Sequence, residues 1–184
     1  MRKITAFLFT TVNGCYRSID HDTSWHRHGE EGTAYSEKQL ESDDILLFGR
    51  KTYEMMAAFW PSPMAYELFP KVAEGMNKAA KIVVSNSLKK TDWSTTVLMS
   101  GDIISQIKKL KQSPGKNITL LGSGELANQL TAAGLIDEYL FLIDPVAIGN
   151  GVTLFEKLGK PLELKLTDAK IFPKSGSVLL SYAV

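Results

Sequence analysis

LLGSGELANQL (residues 120–130) joins an apolar, strand-like segment to a helix-like one through two glycines. Leu126 and Leu130 are spaced as on one face of a helix, and Gly134 follows as a left-handed helix cap. A buried strand that passes into a helix through such a turn predicts an α/β unit. Glycines at this place indicate either a tight turn or a backbone that approaches a ligand where a side chain would interfere.

Two other predicted strands end in similar polar turns. The segment LLFGRKTYE leads from a strand into a helix through Gly49 and Arg50, and IVVSNS ends in Ser85 and Asn86. In an open α/β sheet ligands bind outside the carboxyl ends of the strands, and unpaired N–H groups at a helix N-terminus suit phosphate. Together the three exits favour a dinucleotide, with a guanidinium at position 50 as a charged contact. Each signal alone is also consistent with plain turn glycines, a helix cap at Ser123 or a surface arginine.

The order of the remaining elements predicts a three-layer α/β sandwich with a mostly parallel central sheet and antiparallel C-terminal strands. Residues 13–33 are polar and glycine-punctuated, which predicts a long loop. Helices are predicted in YSEKQLESD with Ser36 as the cap, and at 51–59, 65–79 with a turn or kink at Pro70, 102–112 and 123–134. Strands are predicted at 4–12, 44–49, 80–86, 95–99, 117–122, 137–149, 162–172 and 177–184.

Composition excludes several classes of partner. A net charge of +1, from 21 basic and 20 acidic residues, gives no basic footprint for nucleic acid. No stretch approaches the roughly 18 apolar residues of a membrane span, and the N-terminus is interpreted as a strand because no signal-peptide cleavage site follows. The single cysteine, Cys15, fits a reducing compartment. We therefore expect a cytoplasmic protein that forms one domain over residues 1–184.

The segments DILLFGRKTYEMM, KIVVSNS and ITLLGSGELANQLTAAGLIDEYLFLIDPVAIGNGVTLF resemble the dihydrofolate-reductase-like superfamily. The closer resemblance is to the reductase domain at the C-terminus of the bifunctional riboflavin-biosynthesis deaminase-reductase, the RibD C-terminal type. It covers nearly the whole chain and implies an NADPH-binding reductase fold that is commonly a homodimer. The zinc-binding deaminase domain of the bifunctional enzyme is absent from the sequence, so no deaminase activity is expected.

The resemblance implies a set of cofactor contacts at the three strand exits. Ser123 stands where the family usually has a glycine, and Asn86 where an arginine is frequent, so Arg50, Lys89 or Lys90 is left to neutralise a 2′-phosphate. A preference for NADPH over NADH therefore depends on one of these three cations. The residues implied for NADPH are Gly49, Arg50, Thr52, Ser85, Asn86, Gly122, Ser123, Gly124, Glu125 and Leu126.

The substrate side rests on fewer residues. Asn13 stands where this branch often has aspartate, beside the nicotinamide pocket. An Asp-x-x-Trp-like element in the family makes Asp22 and Trp25 candidates for substrate contact. Trp60 follows a predicted helix and either packs structurally or lines the substrate pocket.

The segment SIDHDTSWHRH (residues 18–28) has the residue types of a metal site. Its three histidines and two aspartates follow neither helical nor strand spacing, and no second cluster supplies further ligands. We interpret it as a solvated loop and expect no metal, with substrate contact and metal binding as the alternatives. The residues concerned are Asp20, His21, Asp22, His26 and His28.

Together with the resemblance, these patterns predict an NADPH-dependent reductase that transfers hydride to a small pterin- or pyrimidine-like heterocycle, or to a related carbonyl or imine compound. Such a reaction needs a proton source as well as a hydride. Dihydrofolate reductase uses an acidic residue on the helix after the first loop, and YSEKQLESD contains Glu37 and Glu41, whose alignment with that residue is left open. The alternative is a nucleotide-binding module of the same fold without catalytic activity.

Overall fold

The computed structural model describes residues 1–27, 29–156 and 158–184. Within these ranges a large sheet has the strand order β5-β4-β3-β6-β1-β7-β10-β9, and β2 pairs with β8 apart from it. The strands are β1 (Ile4–Thr11), β2 (Cys15–Ser18), β3 (Ile45–Gly49), β4 (Lys81–Val84), β5 (Thr96–Met99), β6 (Ile118–Leu121), β7 (Glu138–Asp144), β8 (Gly151–Thr153), β9 (Lys165–Phe172) and β10 (Ser177–Ala183). The helices are α1 (Glu30–Leu40), α2 (Arg50–Phe59), α3 (Pro63–Leu68), α4 (Pro70–Lys78), α5 (Ile103–Gln112) and α6 (Gly124–Ala132).

Six neighbouring strands of this sheet are mutually parallel, namely β5, β4, β3, β6, β1 and β7. Strand β10 runs antiparallel to both of its neighbours, β7 and β9. This confirms the predicted α/β sandwich with an antiparallel C-terminal edge. The parallel arrangement places the carboxyl ends of β3, β4, β6, β1 and β7 at one edge of the sheet. That edge carries the polar turns on which the functional interpretation depends.

The core lies on both faces of the sheet because side chains alternate along each strand. In β3, Leu47 packs with Ile107 of α5 and Leu130 of α6, whereas Leu46 and Phe48 face α2 and α4. A strand covered on both faces reads as a continuous apolar run, which explains ILLF in β3.

The predicted start of the first helix at Ser36 is wrong, because α1 begins at Glu30. Glu30 and Glu31 occupy the first turn, where negative charge interacts favourably with the positive end of the helix dipole. The turn between β9 and β10 holds them in place: Lys174 Nζ lies 2.7 Å from Glu30 Oε2, and the Lys174 amide donates to Glu31 Oε2 over 2.9 Å. These partners are distant in sequence, so local capping signals could not reveal them.

The interpretation of residues 13–33 as a continuous loop is also wrong. β2 forms within it and pairs antiparallel with β8. A side chain at Gly151 would place its Cβ 2.3 Å from Cys15 Sγ, so the two strands approach closely only because residue 151 is glycine. The break at Pro70, by contrast, is confirmed, since α3 ends at Leu68 and α4 begins at Pro70.

Among the described residues, no helix combines the length and the apolar composition that crossing a membrane requires.

Candidate functional site

The three polar strand exits predicted from the sequence lie next to one another. β4, β3 and β6 are consecutive in the sheet and parallel, and their exits open into a cavity of about 1140 Å³. Pockets for drug-sized ligands occupy about 300–1,000 Å³, so this cavity has room for an extended ligand. Of the residues predicted to bind the cofactor, its wall contains Gly49, Arg50, Thr52, Ser85, Gly122, Ser123, Gly124, Glu125 and Leu126.

Among the helices that begin in this wall without a side-chain cap, α2 and α6 follow strands that are adjacent in the sheet. α2 follows β3 and α6 follows β6, and neither N-cap residue, Gly49 or Ser123, makes a side-chain hydrogen bond to its helix. By comparison, Ser62 caps α3 and Asp102 caps α5 through their side chains. First-turn amides at α2 and α6 therefore keep donor capacity for a ligand in the cavity.

Ser123 joins the two helix starts to each other. Its hydroxyl accepts a hydrogen bond from the Gly49 amide over 2.9 Å and lies 3.1 Å from the Leu121 carbonyl oxygen. Ser123 is the N-cap residue of α6, but its backbone is left-handed (φ 56°) and its side chain points to the neighbouring turn instead of capping its own helix. The Gly49 amide is occupied by this contact.

Positions 122 and 124 require glycine for different physical reasons. Gly122 adopts φ +56°, a left-handed conformation that glycine tolerates without strain. At Gly124 a Cβ would lie 2.5 Å from the Tyr16 ring, so the tyrosine of β2 packs where a side chain would stand. A tight turn accounts for the first glycine and a close ring contact for the second.

Cationic side chains surround the two helix starts. Arg50 pairs with Glu54 one turn along α2, with Nη1 2.9 Å from both carboxylate oxygens. Lys51 Nζ lies 2.8 Å from His21 Nε2, and Arg17 Nη2 lies 3.6 Å from Glu125 Oε1. All of these except Glu54 line the cavity, which makes this side of it suited to anionic groups.

The β4 exit is more structured than expected. The Ser85 hydroxyl accepts hydrogen bonds from the amides of Ser87 and Leu88, at 3.1 and 2.9 Å. Asn86 lies outside the cavity wall, and its Oδ1 accepts from the Gly101 amide over 2.7 Å. The structure thus brings Ser85 to the other predicted cofactor residues but leaves Asn86 at the surface turn.

Of the four residues predicted to contact substrate, only Trp60 lines the cavity. Asn13 is tied to the turn after β7, with Nδ2 donating to the Ile148 carbonyl over 3.0 Å. Asp22 holds its own turn, since its carboxylate accepts from the amide and hydroxyl of Ser24 at 2.9 and 2.8 Å. Trp25 is half-buried and does not belong to the cavity wall.

The remaining cavity wall is largely apolar. Phe7 and Phe9 of β1 face it, and Trp60, whose indole N–H donates to the Met56 sulfur over 3.0 Å, forms another part. Tyr35 of α1 also lines it. Burial, with the Asp168 carboxylate adding to it, raises the pKa of Tyr35 to about 12, so this phenol stays protonated at neutral pH. Such a wall suits a flat ring system.

A histidine–aspartate pair in the same region was not predicted from the sequence. His26 Nδ1 lies 2.6 Å from Asp144 Oδ2, and the two side chains are only 6% and 0% exposed. The other carboxylate oxygen accepts from the Ser177 hydroxyl over 3.0 Å. The His26 ring stacks on Phe9, with centroids 3.7 Å apart, and lines the cavity. Within the predicted strand 137–149, the charged Asp144 after the apolar run YLFLI was the available signal.

The metal interpretation of residues 18–28 receives no geometric support in the part of the chain that the structure describes. His21 is directed to Lys51 and His26 to Asp144, so the two rings do not share a ligand site. The described ranges contain no group of three or more His, Cys, Asp or Glu side chains that could hold a metal ion. His28 lies outside the described residues.

Comparisons with known proteins agree with this architecture. Over 143 residues the chain is 28% identical to the uncharacterized protein YyaP of Bacillus subtilis (strain 168), covering 78% of this chain and 75% of that protein. The crystal structure named "Putative riboflavin biosynthesis protein" from Shewanella sp. PV-4 superposes with a TM-score of 0.72 at 20% identity, over 98% of each chain. Dihydrofolate reductase from Enterococcus faecalis, complexed with NADP(H) and RAB-propyl, superposes with a TM-score of 0.65 at 13% identity, over 98% of this chain and 95% of that one.

The structural likenesses establish a fold shared with reductases. The sequence pattern of one family, described as the RibD C-terminal domain, matches residues 2–179, which is nearly the whole chain. On that match, this chain belongs to the RibD C-terminal domain family.

Proposed function

We propose that this protein is an NADPH-dependent reductase that transfers hydride to a small pterin- or pyrimidine-like heterocycle, or to a related carbonyl or imine compound. One observation carries the proposal: α2 and α6 begin at adjacent strand ends, uncapped by side chains, in one cavity. Two neighbouring helix starts match the two linked phosphates of a dinucleotide better than a single phosphate.

The residues present fit the cofactor. Arg50 and Lys51 at the start of α2 and Arg17 above α6 supply positive charge, and the cavity volume of about 1140 Å³ leaves space for a second, small molecule. Arg50 is bound to Glu54 in a surface pair with 40% and 45% of the side chains exposed. Such exposed pairs contribute only about 0.3–0.5 kcal/mol, so the guanidinium can turn to a phosphate at little cost.

Roles for the wall residues follow from this arrangement. First-turn amides of α2 and α6 hold the phosphates, Thr52 and Ser85 offer hydroxyls, and Arg50 adds a charged contact. The apolar wall around Phe7 and Trp60 orients a flat acceptor and excludes water from it. A bound reduced nicotinamide would supply the hydride.

A binding module without catalysis is the second candidate, and one observation favours it. The carboxylates of α1 do not line the cavity in the described structure, and Glu37 instead pairs with Lys71, with Nζ 3.4 Å from Oε2. The proton donor used by dihydrofolate reductase therefore has no counterpart among the glutamates of this helix. Oxidation of NADPH in the presence of acceptors separates the two functions, since a binder would saturate with NADPH and never oxidise it.

Calorimetry with NADPH and with NADH tests the cofactor site. We expect saturable binding by the wild-type protein and about ten-fold weaker binding by Arg50→Ala, because a charge-assisted contact contributes about 1.5–3 kcal/mol, part of which water replaces. Lys108→Ala is the matched control, since it removes one positive charge from the exposed face of α5.

The absence of any heat with well-folded wild-type protein would overturn the proposal. Equal binding by the Arg50→Ala and Lys108→Ala proteins would remove Arg50 from the site while leaving the rest intact. We also propose a cytoplasmic homodimer with no nucleic-acid or membrane partner, and light scattering of the purified protein tests the dimer.

A further inference from the structure

We infer that His26, positioned by Asp144, is the catalytic residue that donates a proton to the acceptor during hydride transfer. The inference rests on the proposed reductase function and specifies its substrate class: a flat heterocycle whose C=N or C=O heteroatom must gain a proton as the adjacent carbon is reduced.

Asp144 is a positioning residue that orients the histidine and does not react itself. It ends β7, a central strand, and its side chain is fully buried. One carboxylate oxygen binds His26 Nδ1, and the other accepts from the Ser177 hydroxyl and the Arg27 amide at 3.0 and 3.3 Å. A buried carboxylate that accepts this many hydrogen bonds is held in one orientation, and it fixes the orientation of the imidazole ring in turn.

The aspartate also determines which ring nitrogen exchanges protons. Its carboxylate accepts a hydrogen bond, so the neutral imidazole carries its proton on Nδ1 and Nε2 is the nitrogen that gains or releases one. The ring cannot rotate freely because it stacks on Phe9 at an interplanar angle of 11°. His26 lines the cavity in which the acceptor would lie.

Three neighbouring sets of groups are poorer candidates for this role than the histidine. Tyr35 shares the cavity wall, but its pKa of about 12 makes it a poor proton donor at neutral pH. Arg27 does not compete, since its guanidinium donates to the Ser175 carbonyl over 3.2 Å and arginine stays protonated. The acidic side chains of α1 do not reach the cavity wall.

A reduced nicotinamide bound in the cavity would supply the hydride, with its own C–H bond breaking and its ring left oxidised. The acceptor carbon gains the new C–H bond, and the π electrons of C=N or C=O move to the heteroatom. The heteroatom forms its N–H or O–H bond with the proton from His26 Nε2, whose own N–H bond breaks. The neutral imidazole keeps its Nδ1 proton, which stays hydrogen-bonded to Asp144, and Nε2 regains a proton from water. General acids in such positions contribute about 10²–10⁴-fold to the rate.

A purely structural role is the alternative, because the same contacts anchor the segment before α1 to the sheet. His26→Asn separates the two roles, since the asparagine amide can replace Nδ1–H as a donor to Asp144 but cannot give up a proton. His26→Gln lacks that placement and serves as the second variant. Calorimetry with NADPH establishes first that each variant folds and keeps the cofactor site.

Two acceptors then distinguish proton transfer from hydride transfer. 3,4-Dihydroisoquinoline, assayed at a pH at which its nitrogen is unprotonated, is a cyclic imine that needs a proton, whereas its N-methyl iminium salt accepts hydride without one. We expect His26→Asn to bind NADPH as the wild type does and to reduce the neutral imine about 10²–10⁴-fold more slowly. Reduction of the iminium salt should change by less than about three-fold, because no proton is transferred in that reaction.

Equal losses with both probes, or no loss with either, would overturn the donor role while the reductase function stands. Failure of the wild-type protein to bind NADPH, or binding without oxidation by either probe, would instead overturn the proposed function and the donor with it. Nitrogen NMR of histidine-labelled protein with NADPH gives a readout without turnover, assigned with the His26→Asn protein. The neutral His26 ring must carry its proton on Nδ1, and a proton on Nε2 contradicts the inference.

Discussion

At position 124 the choice of residue is set by the Tyr16 ring. An alanine there would gain about 0.5–1 kcal/mol of helix propensity, but its Cβ would lie 2.5 Å from Tyr16 Cε2 and Cζ. Overpacking of this kind typically costs about 1–3 kcal/mol, so we expect Gly124→Ala to lower the free energy of unfolding by on the order of 1 kcal/mol. Urea denaturation measures it.

The same substitution in a Tyr16→Ala background should be neutral or stabilising, because the obstacle is gone. Gly32→Ala is the control, since Gly32 is helical and nothing lies within 4 Å of its added Cβ. Identical effects of Gly124→Ala with and without the tyrosine ring would show that the ring is not the constraint.

On the scale of secondary-structure elements, Lys81 of β4 ties the end of α4 to the start of β5. Its ammonium lies 2.6 Å from the Ala79 carbonyl oxygen, 3.2 Å from that of Ser94 and 2.8 Å from the Thr95 hydroxyl. It also lies 4.6 Å from the centre of the Trp93 ring. The side chain is 1% exposed, and burial lowers the pKa of Lys81 to about 8.

A folded pKa below the unfolded value means that the unfolded chain binds more protons between about pH 8 and pH 10.4. The stability of the wild-type protein, measured relative to Lys81→Met, should therefore rise with pH in that window, by at most about 1.4 kcal/mol per pH unit. Below pH 8 the difference in unfolding free energy between the two proteins should not change with pH. Urea denaturation at several pH values measures it, and parallel curves for the two proteins above pH 8 would contradict the expectation.

Elements that carry their own periodicity were predictable. The spacing of Ile103, Ile107 and Leu110 gave α5, and the buried run in β3 followed from its apolar residues. The start of α1 and the β2–β8 pair were missed because they depend on partners far away in the chain, such as Lys174 for Glu30 and Thr153 for Cys15. Local pattern contains no information about such pairings.

For the whole molecule, the part of the cavity that is formed by strand exits could be predicted, because sheet topology alone brings those exits together. Parallel strands bring their exits together, so Gly49, Ser85 and Gly122 could be assigned to one edge before any coordinates. The direction of individual side chains was not accessible in this way: Asn86 turns to the Gly101 amide. The pairing of His26 with Asp144 joins residues 118 positions apart and becomes visible only in the folded chain.

Because the cavity wall is assembled from β1, α1, α2, β4 and α6, a cofactor held there should stabilise the molecule as a whole. A ligand at 100 times its Kd adds about 2.7 kcal/mol, and in a chain of this size each kcal/mol raises Tm by about 2–4 °C. We expect NADPH to raise Tm by about 5–10 °C, and by about half as much in Arg50→Ala at the same concentration if its affinity is ten-fold lower. Scanning calorimetry measures both, with Lys108→Ala as the control that should match the wild type. A rise of equal size in the Arg50→Ala protein would show that the guanidinium does not contact the cofactor, and no rise in any of the proteins would mean that the uncapped starts of α2 and α6 bind no dinucleotide.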